Sequence, residues 1–158
     1  MTRSAESFYD DMASSYHLIF DDWDKAIERQ RAVLAPLISE SGALGAILDC
    51  ACGIGTQALS LARAGYEVEG TDISKMEVER AAREAALRNL SVKFRVDDMR
   101  LLATCKAQYY GAIVAFDNAI PHLDSDEEIA QALTAMLTFA ERLASPRPDA
   151  QCGEDRCP

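Results

Sequence analysis

The chain has 158 residues, 49% of them hydrophobic, 27% charged and only 7% aromatic, the balance of one folded domain and not of a fibrous or disordered chain. Its formal net charge of -10 argues against nucleic acid as a partner, because binding a phosphate backbone calls for a basic face that releases counterions. No run of about 18 apolar residues and no apolar N-terminal stretch points to a membrane span or an export signal, so the expectation is a cytoplasmic protein acting on a small molecule.

Along the chain, Ile27, Leu34, Leu37 and Ile38 recur at helical spacing within residues 24–38 and predict an amphipathic helix. Residues 46–50 form a short apolar run, followed by a turn with Gly53 and Gly55 and a helix over 57–64 stopped by Gly65. A second strand is expected over 66–71, and Ser74 with Glu77 three residues on reads as a capping box opening a helix that runs toward Leu87. Val92, Phe94 and Val96 alternate with Lys93 and Arg95 as a third strand, and residues 111–116 supply a fourth. Ser125 and Glu128 form another capping box, ahead of a helix whose expected apolar stripe is Ile129, Leu133, Met136, Leu137, Ala140 and Leu143.

Strands alternating with helices define the fold class as α/β, a Rossmann-like and mostly parallel sheet with flanking helices. The expected organisation is a helical cap over 1–45, a core over 46–144 and an irregular tail over 145–158, where three prolines and no apolar periodicity end the pattern. The five cysteines at 50, 52, 105, 152 and 157 are odd in number and scattered, which fits free thiols better than a disulfide framework. Cys50 and Cys52 lack a further pair or a nearby histidine at metal-ligand spacing, so no metal is expected.

In ILDCACGIGTQ (47–57), the small residues Ala51, Gly53 and Gly55 let backbone pass close to a ligand at the start of a helix. Gly53, Gly55 and Ala58 also satisfy a dinucleotide pattern, and Asp72 lies at a distance suited to a ribose, so a nicotinamide dinucleotide is one candidate. Three features favour a cationic adenosyl ligand. Asp49 precedes the glycines, where its carboxylate would repel a pyrophosphate but not an ammonium group. More than 40 residues precede the first strand, whereas the dinucleotide fingerprint usually opens its domain. Asp97-Asp98-Met99 follows the third strand, where an acceptor could read an adenine amino group.

The string LDCACGIGTQ resembles the first motif of class I S-adenosylmethionine-dependent methyltransferases, and the order of the later elements is similar to glycine and sarcosine N-methyltransferase-like members. The resemblance covers about residues 8 to 143. It implies that Asp49, Ala51, Gly53 and Gly55 surround the methionine part of S-adenosylmethionine, that Asp72 takes both ribose hydroxyls with Ile73 beside it, and that the Asp98 side chain and Met99 backbone meet the adenine. Arg29 is a further candidate, for the cofactor carboxylate. FDNAIPHL (116–123) resembles the segment in which an Asn and a His stand four apart, making Asn118 and His122 catalytic candidates with Tyr16 as a wall of the transfer pocket.

The implied activity is methyl transfer to a small acceptor such as an amine, with a non-catalytic binding remnant and a dinucleotide oxidoreductase as the alternatives. The same resemblance implies seven strands, of which the sequence offers candidates for four. The expectation is therefore an incomplete domain whose fourth strand is an exposed edge open to self-association.

Overall fold

The computed structural model describes residues 4–140. Four strands, β1 (Ala46–Asp49), β2 (Val68–Asp72), β3 (Val92–Val96) and β4 (Tyr110–Val114), form one sheet in the order β3-β2-β1-β4. Every pairing is parallel, and the register sets Asp49 opposite both Gly70 and Val114, so the strands end together at one edge of the molecule.

Central β1 is buried throughout, as the apolar run predicts for a strand covered on both faces. Its alternation separates two packed layers. Ile47 joins Leu34, Ile38, Ala58, Leu61 and Val68, bringing α2 (Trp23–Glu40) and α3 (Thr56–Arg63) onto one face. Ala46 and Leu48 join Leu102, Tyr110 and Ala135, bringing α5 (Asp126–Phe139) onto the other. A third cluster ties Trp23, Ala26 and Ile27 of α2 to Leu59 and to Ala85 of α4 (Lys75–Leu87), so the N-terminal segment shares the core of the sheet. The indole N–H of Trp23 donates to Thr56 Oγ1 at 2.9 Å, fastening α2 to the first residue of α3.

The N-terminus adds α1 (Ala5–Met12) and a 3-10 turn at Tyr16–Ile19, neither of which has the apolar periodicity that predicts a helix. Helix α1 buries no residue of its own. It is held instead by polar contacts at the start of α4, where Asp10 Oδ1 accepts from the Ser74 hydroxyl at 2.6 Å and from the Met76 N–H at 3.1 Å.

Several expectations are corrected. The stripe on α5 holds only in part: Met136 packs on the core, but Leu133 and Leu137 are 51% and 79% exposed, and Ala132 and Ala135 are buried instead. Ala135 meets the cluster of Tyr110 and Leu102 beneath α5, with half-buried Met136 and Phe139 beside it. Leu37 is likewise exposed on α2. Residues 66 and 67 stand before β2, and Tyr66 sends its hydroxyl to the Ala35 carbonyl at 3.1 Å. Residues 115 and 116 lie past the end of β4, ahead of a left-handed backbone at Asp117 (φ 56°).

Both capping boxes form by half. Ser74 Oγ accepts from the Glu77 N–H, but the Ser74 N–H goes to Asp72 Oδ1 and not to the Glu77 carboxyl. Ser125 Oγ accepts from the Glu128 N–H, while Glu128 turns to the Asp124 N–H and to Arg100. The expected tail over 145–158, with Leu143, Cys152 and Cys157, lies outside the described residues. Among the described residues no helix is long and apolar enough to cross a membrane, and no three His, Cys, Asp or Glu side chains are grouped to hold a metal ion.

Candidate functional site

Parallel strands that end together leave a crevice beyond their carboxyl ends, the usual ligand position in open α/β sheets. Here that crevice is a cavity of about 940 Å³. Its floor is the turn between β1 and α3, its sides come from the segments after β2, β3 and β4, and α1 with Tyr16 closes it from above.

The turn needs its glycines. Gly53 (φ 51°) and Gly55 (φ 95°) both occupy left-handed backbone, and Gly55 is the N-cap residue of α3. Gly53 faces the cavity with its N–H donated to Asp72 Oδ2 at 2.8 Å, while the other Asp72 oxygen accepts from the Ser74 N–H at 2.9 Å. Each oxygen keeps a lone pair, so the carboxylate can lock the turn and accept from a ligand hydroxyl as well. Burial raises the pKa of Asp72, and the backbone N–H groups of Ser74, Gly53 and Ile73 pull against that shift.

Asp49 lies beneath this floor, only 1% exposed. Its Oδ1 meets the Ala51 N–H at 3.5 Å, and its Oδ2 has no hydrogen-bond partner. Burial, reinforced by the carboxylates of Asp72 and Asp117, pushes its pKa up to about 7.

After β3 two adjacent acids part ways. Asp97 is buried and accepts from the N–H groups of Asp98, Ala103 and Thr104 and from the Thr104 hydroxyl, holding the following turn. Asp98 lines the cavity with Met99. Its oxygens take the Arg100 N–H at 2.9 Å and a two-pronged guanidinium contact, and Arg100 continues to Glu128 on α5. Burial alone would raise the pKa of Asp98, but Arg100 holds it below the ordinary carboxylate range. An adenine amino group would reach this carboxylate only in exchange for one of the Arg100 contacts.

Beyond β4, Phe116, Asp117, Asn118 and His122 line the opposite side. Asp117 Oδ2 accepts from Gln57 Nε2 at 2.7 Å, tying this segment to the first turn of α3. The Tyr9 hydroxyl and His122 Nε2 are 2.6 Å apart, a bridge across the mouth between α1 and the segment after β4. Tyr16 packs beside Tyr9 with ring centroids 6.2 Å apart. Burial, with neighbouring Tyr16 and the carboxylates of Glu77, Asp72 and Asp117, raises the Tyr9 pKa to about 12, so the hydroxyl keeps its proton.

Of the residues singled out in the sequence, Ala51, Gly53, Asp72, Ile73, Asp98, Met99, Asn118, His122 and Tyr16 are brought together around the cavity. Gly55 shapes the turn, and Asp49 lies under it. Arg29 is not brought to the cavity; it is exposed on α2, about 200° around the helix from buried Ile27, so the face that packs the core turns it outward. Tyr9, Gln57 and Glu77 line the cavity although the sequence does not mark them as site residues. Tyr9 stands in the same aromatic N-terminal string as Tyr16, whereas Glu77 has the spacing of a capping residue and nothing in the sequence marks it otherwise.

The cavity is thus an α/β crevice floored by a glycine turn and walled by acids. Residues 47–141 match the family model of the methyltransferase domain, and the chain belongs to that family. It is 31% identical over 112 residues to YqeM of Bacillus subtilis, which carries a methyltransferase name, covering 71% of this chain and 40% of that protein. It is 28% identical over 112 residues to the glycine/sarcosine N-methyltransferase of Parasynechococcus marenigrum, covering 71% and 39%. Among solved structures, the fold superposes on magnesium protoporphyrin IX methyltransferase of Synechocystis, solved with bound S-adenosylmethionine, with a TM-score of 0.66 and 21% identity over 88% of this chain and 73% of that one. The chain spans about two fifths of the length of the two curated relatives.

Proposed function

We propose that the cavity binds S-adenosylmethionine and that methyl transfer to a small acceptor, an amine, takes place at its mouth. The observation that carries this reading is the floor itself: Asp49 Oδ2 and Glu77 Oε1 are buried carboxyl oxygens without partners, placed under and against a left-handed glycine turn. A buried acid left unpaired is costly unless a ligand completes it, and a cationic, hydroxyl-bearing ligand does so.

The bound cofactor supplies an electrophilic methyl group, so the chain needs no nucleophile of its own. Its work is positioning and charge. Asp72 fixes the Gly53 turn and accepts from the ribose, Asp49 places negative charge beneath the ammonium group, and Ala51 leaves room for close approach. Asn118, exposed at the rim, is placed to orient an acceptor, and the Tyr9–His122 bridge roofs the mouth against water. A primary or secondary amine, as in the substrates of the glycine/sarcosine relative, fits an acidic mouth that attracts cations.

The test is single-turnover methyl transfer from S-adenosylmethionine to glycine, sarcosine and simple alkylamines. Asn118→Ala is expected to slow transfer by roughly tenfold or more while leaving cofactor affinity within about twofold, as loss of one positioning hydrogen bond predicts. Unchanged transfer with collapsed cofactor binding would make Asn118 a cofactor ligand and remove it from the acceptor side.

A further inference from the structure

We propose that Glu77 is a second carboxyl of the ribose site, binding one hydroxyl of the cofactor beside Asp72; the inference rests on the cofactor reading given above. Glu77 stands in the first turn of α4 and is only 2% exposed, yet it lines the cavity. Its Oε2 lies 3.4 Å from where a Cβ on Gly53 would stand, on the residue whose N–H is bound by Asp72. The two carboxyls therefore flank the same glycine.

They are not equally engaged. Asp72 has a backbone N–H on each oxygen, whereas Glu77 Oε1 has no hydrogen-bond partner at all. No cation offsets Glu77, since the charges acting on it are the carboxylates of Asp72 and Asp10. Its backbone N–H already serves the Ser74 cap, so the helix start does not need this side chain. A first-turn acid can also close a capping box by accepting from the cap residue's N–H, and Glu77 does not, since the Ser74 N–H goes to Asp72. What remains is a buried carboxyl in the cavity lining with an unpartnered oxygen, suited to a hydroxyl donor.

Glu77→Met and Glu77→Gln test this with two readouts: thermal melting of the ligand-free protein, and calorimetric titration with S-adenosylhomocysteine and its 2′-deoxy and 3′-deoxy analogues. Glu77→Met, which relieves an unpartnered buried carboxyl, is expected to melt above wild type and yet bind S-adenosylhomocysteine roughly tenfold more weakly. Glu77→Gln, which keeps an acceptor oxygen, should bind between the two. The ratio of wild-type to Glu77→Met affinity should fall close to one for the deoxy analogue lacking the hydroxyl that Glu77 holds. A Glu77→Met protein that binds like wild type, or that melts lower, overturns the proposal and leaves the cofactor site standing. So does an affinity ratio that neither deoxy analogue changes. Failure of the wild-type protein to bind S-adenosylhomocysteine overturns the cofactor reading and the role of Glu77 together.

Discussion

The molecule buries its acids in two ways. Outside the cavity, Glu69 on β2 and Glu84 on α4 are 2% and 8% exposed and surrounded by donors: Glu69 accepts from the Tyr110 hydroxyl at 2.6 Å and from Arg95 at 2.8 Å, and Glu84 pairs with Arg80 and Arg88. Burial would raise both pKa values, but these partners hold them below the ordinary carboxylate range. At the cavity floor, Asp49 and Glu77 are just as buried and have no such partners. Burial, with only other carboxylates nearby, raises them to about 7 and about 8. The first pair is satisfied within the fold, and the second is not.

The largest effect that separates the two groups is on stability. Glu69→Ala should lower unfolding free energy by about 2–3 kcal/mol in a denaturant titration, because it strands the Tyr110 hydroxyl and the half-buried Arg95. A loss near zero would dissolve the contrast.

Next in size is the effect of Asp72→Ala on ligand binding. It removes the acceptor for two backbone N–H groups and for the ribose, and should weaken S-adenosylmethionine by about 1.5–3 kcal/mol for each charge-assisted hydrogen bond from the ribose, read by calorimetry. Asp97→Ala is the control one element away, since its carboxylate serves only the turn after β3. That variant should melt lower while weakening the ligand less than Asp72→Ala does.

The smallest effect is the pH dependence of the ligand-free protein. Glu77 and Asp49 release protons near 4.5 and 3.8 at their ordinary values but near 8 and 7 when folded. Between those limits the folded chain binds more protons than the unfolded one, so stability falls as pH rises from about 4.5 to 8. Asp72, whose pKa burial also raises, adds to this trend, while Asp10, held below its ordinary value by Ser74 and Met76, is ionised throughout it. Glu77→Gln should flatten part of the slope in melts taken across that range; an unchanged slope would place the titration elsewhere.

Much of this was legible in the sequence for identifiable reasons. A buried parallel strand makes an unbroken apolar run, so residues 46–50 located β1, and left-handed glycines cannot be replaced cheaply, so Gly53 and Gly55 marked the turn. Asp72 was readable because it closes a strand beside that turn. Helix orientation was only half readable where small and large apolar residues compete: Leu133 and Leu137 outrank Ala132 and Ala135 in hydrophobicity, yet the alanines, with Met136 and Phe139 beside them, are what meet the Tyr110 cluster. Glu77 was hidden because Ser-x-x-Glu spells a capping box, and only the competing bond from the Ser74 N–H to Asp72 turns that side chain inward. Tyr9 was hidden because α1 is held by Asp10 and not by an apolar face.

The central claim, that the unpaired acids serve a cationic adenosyl ligand, is tested most directly by titrating S-adenosylmethionine and NAD separately into the wild-type chain in a calorimeter. A cavity walled by Asp72 and Glu77, with Asp49 buried beneath its glycine turn, predicts a saturable one-to-one isotherm with S-adenosylmethionine and none with NAD, whose pyrophosphate would add negative charge beside acids. Saturable binding of NAD with no heat from S-adenosylmethionine would contradict it.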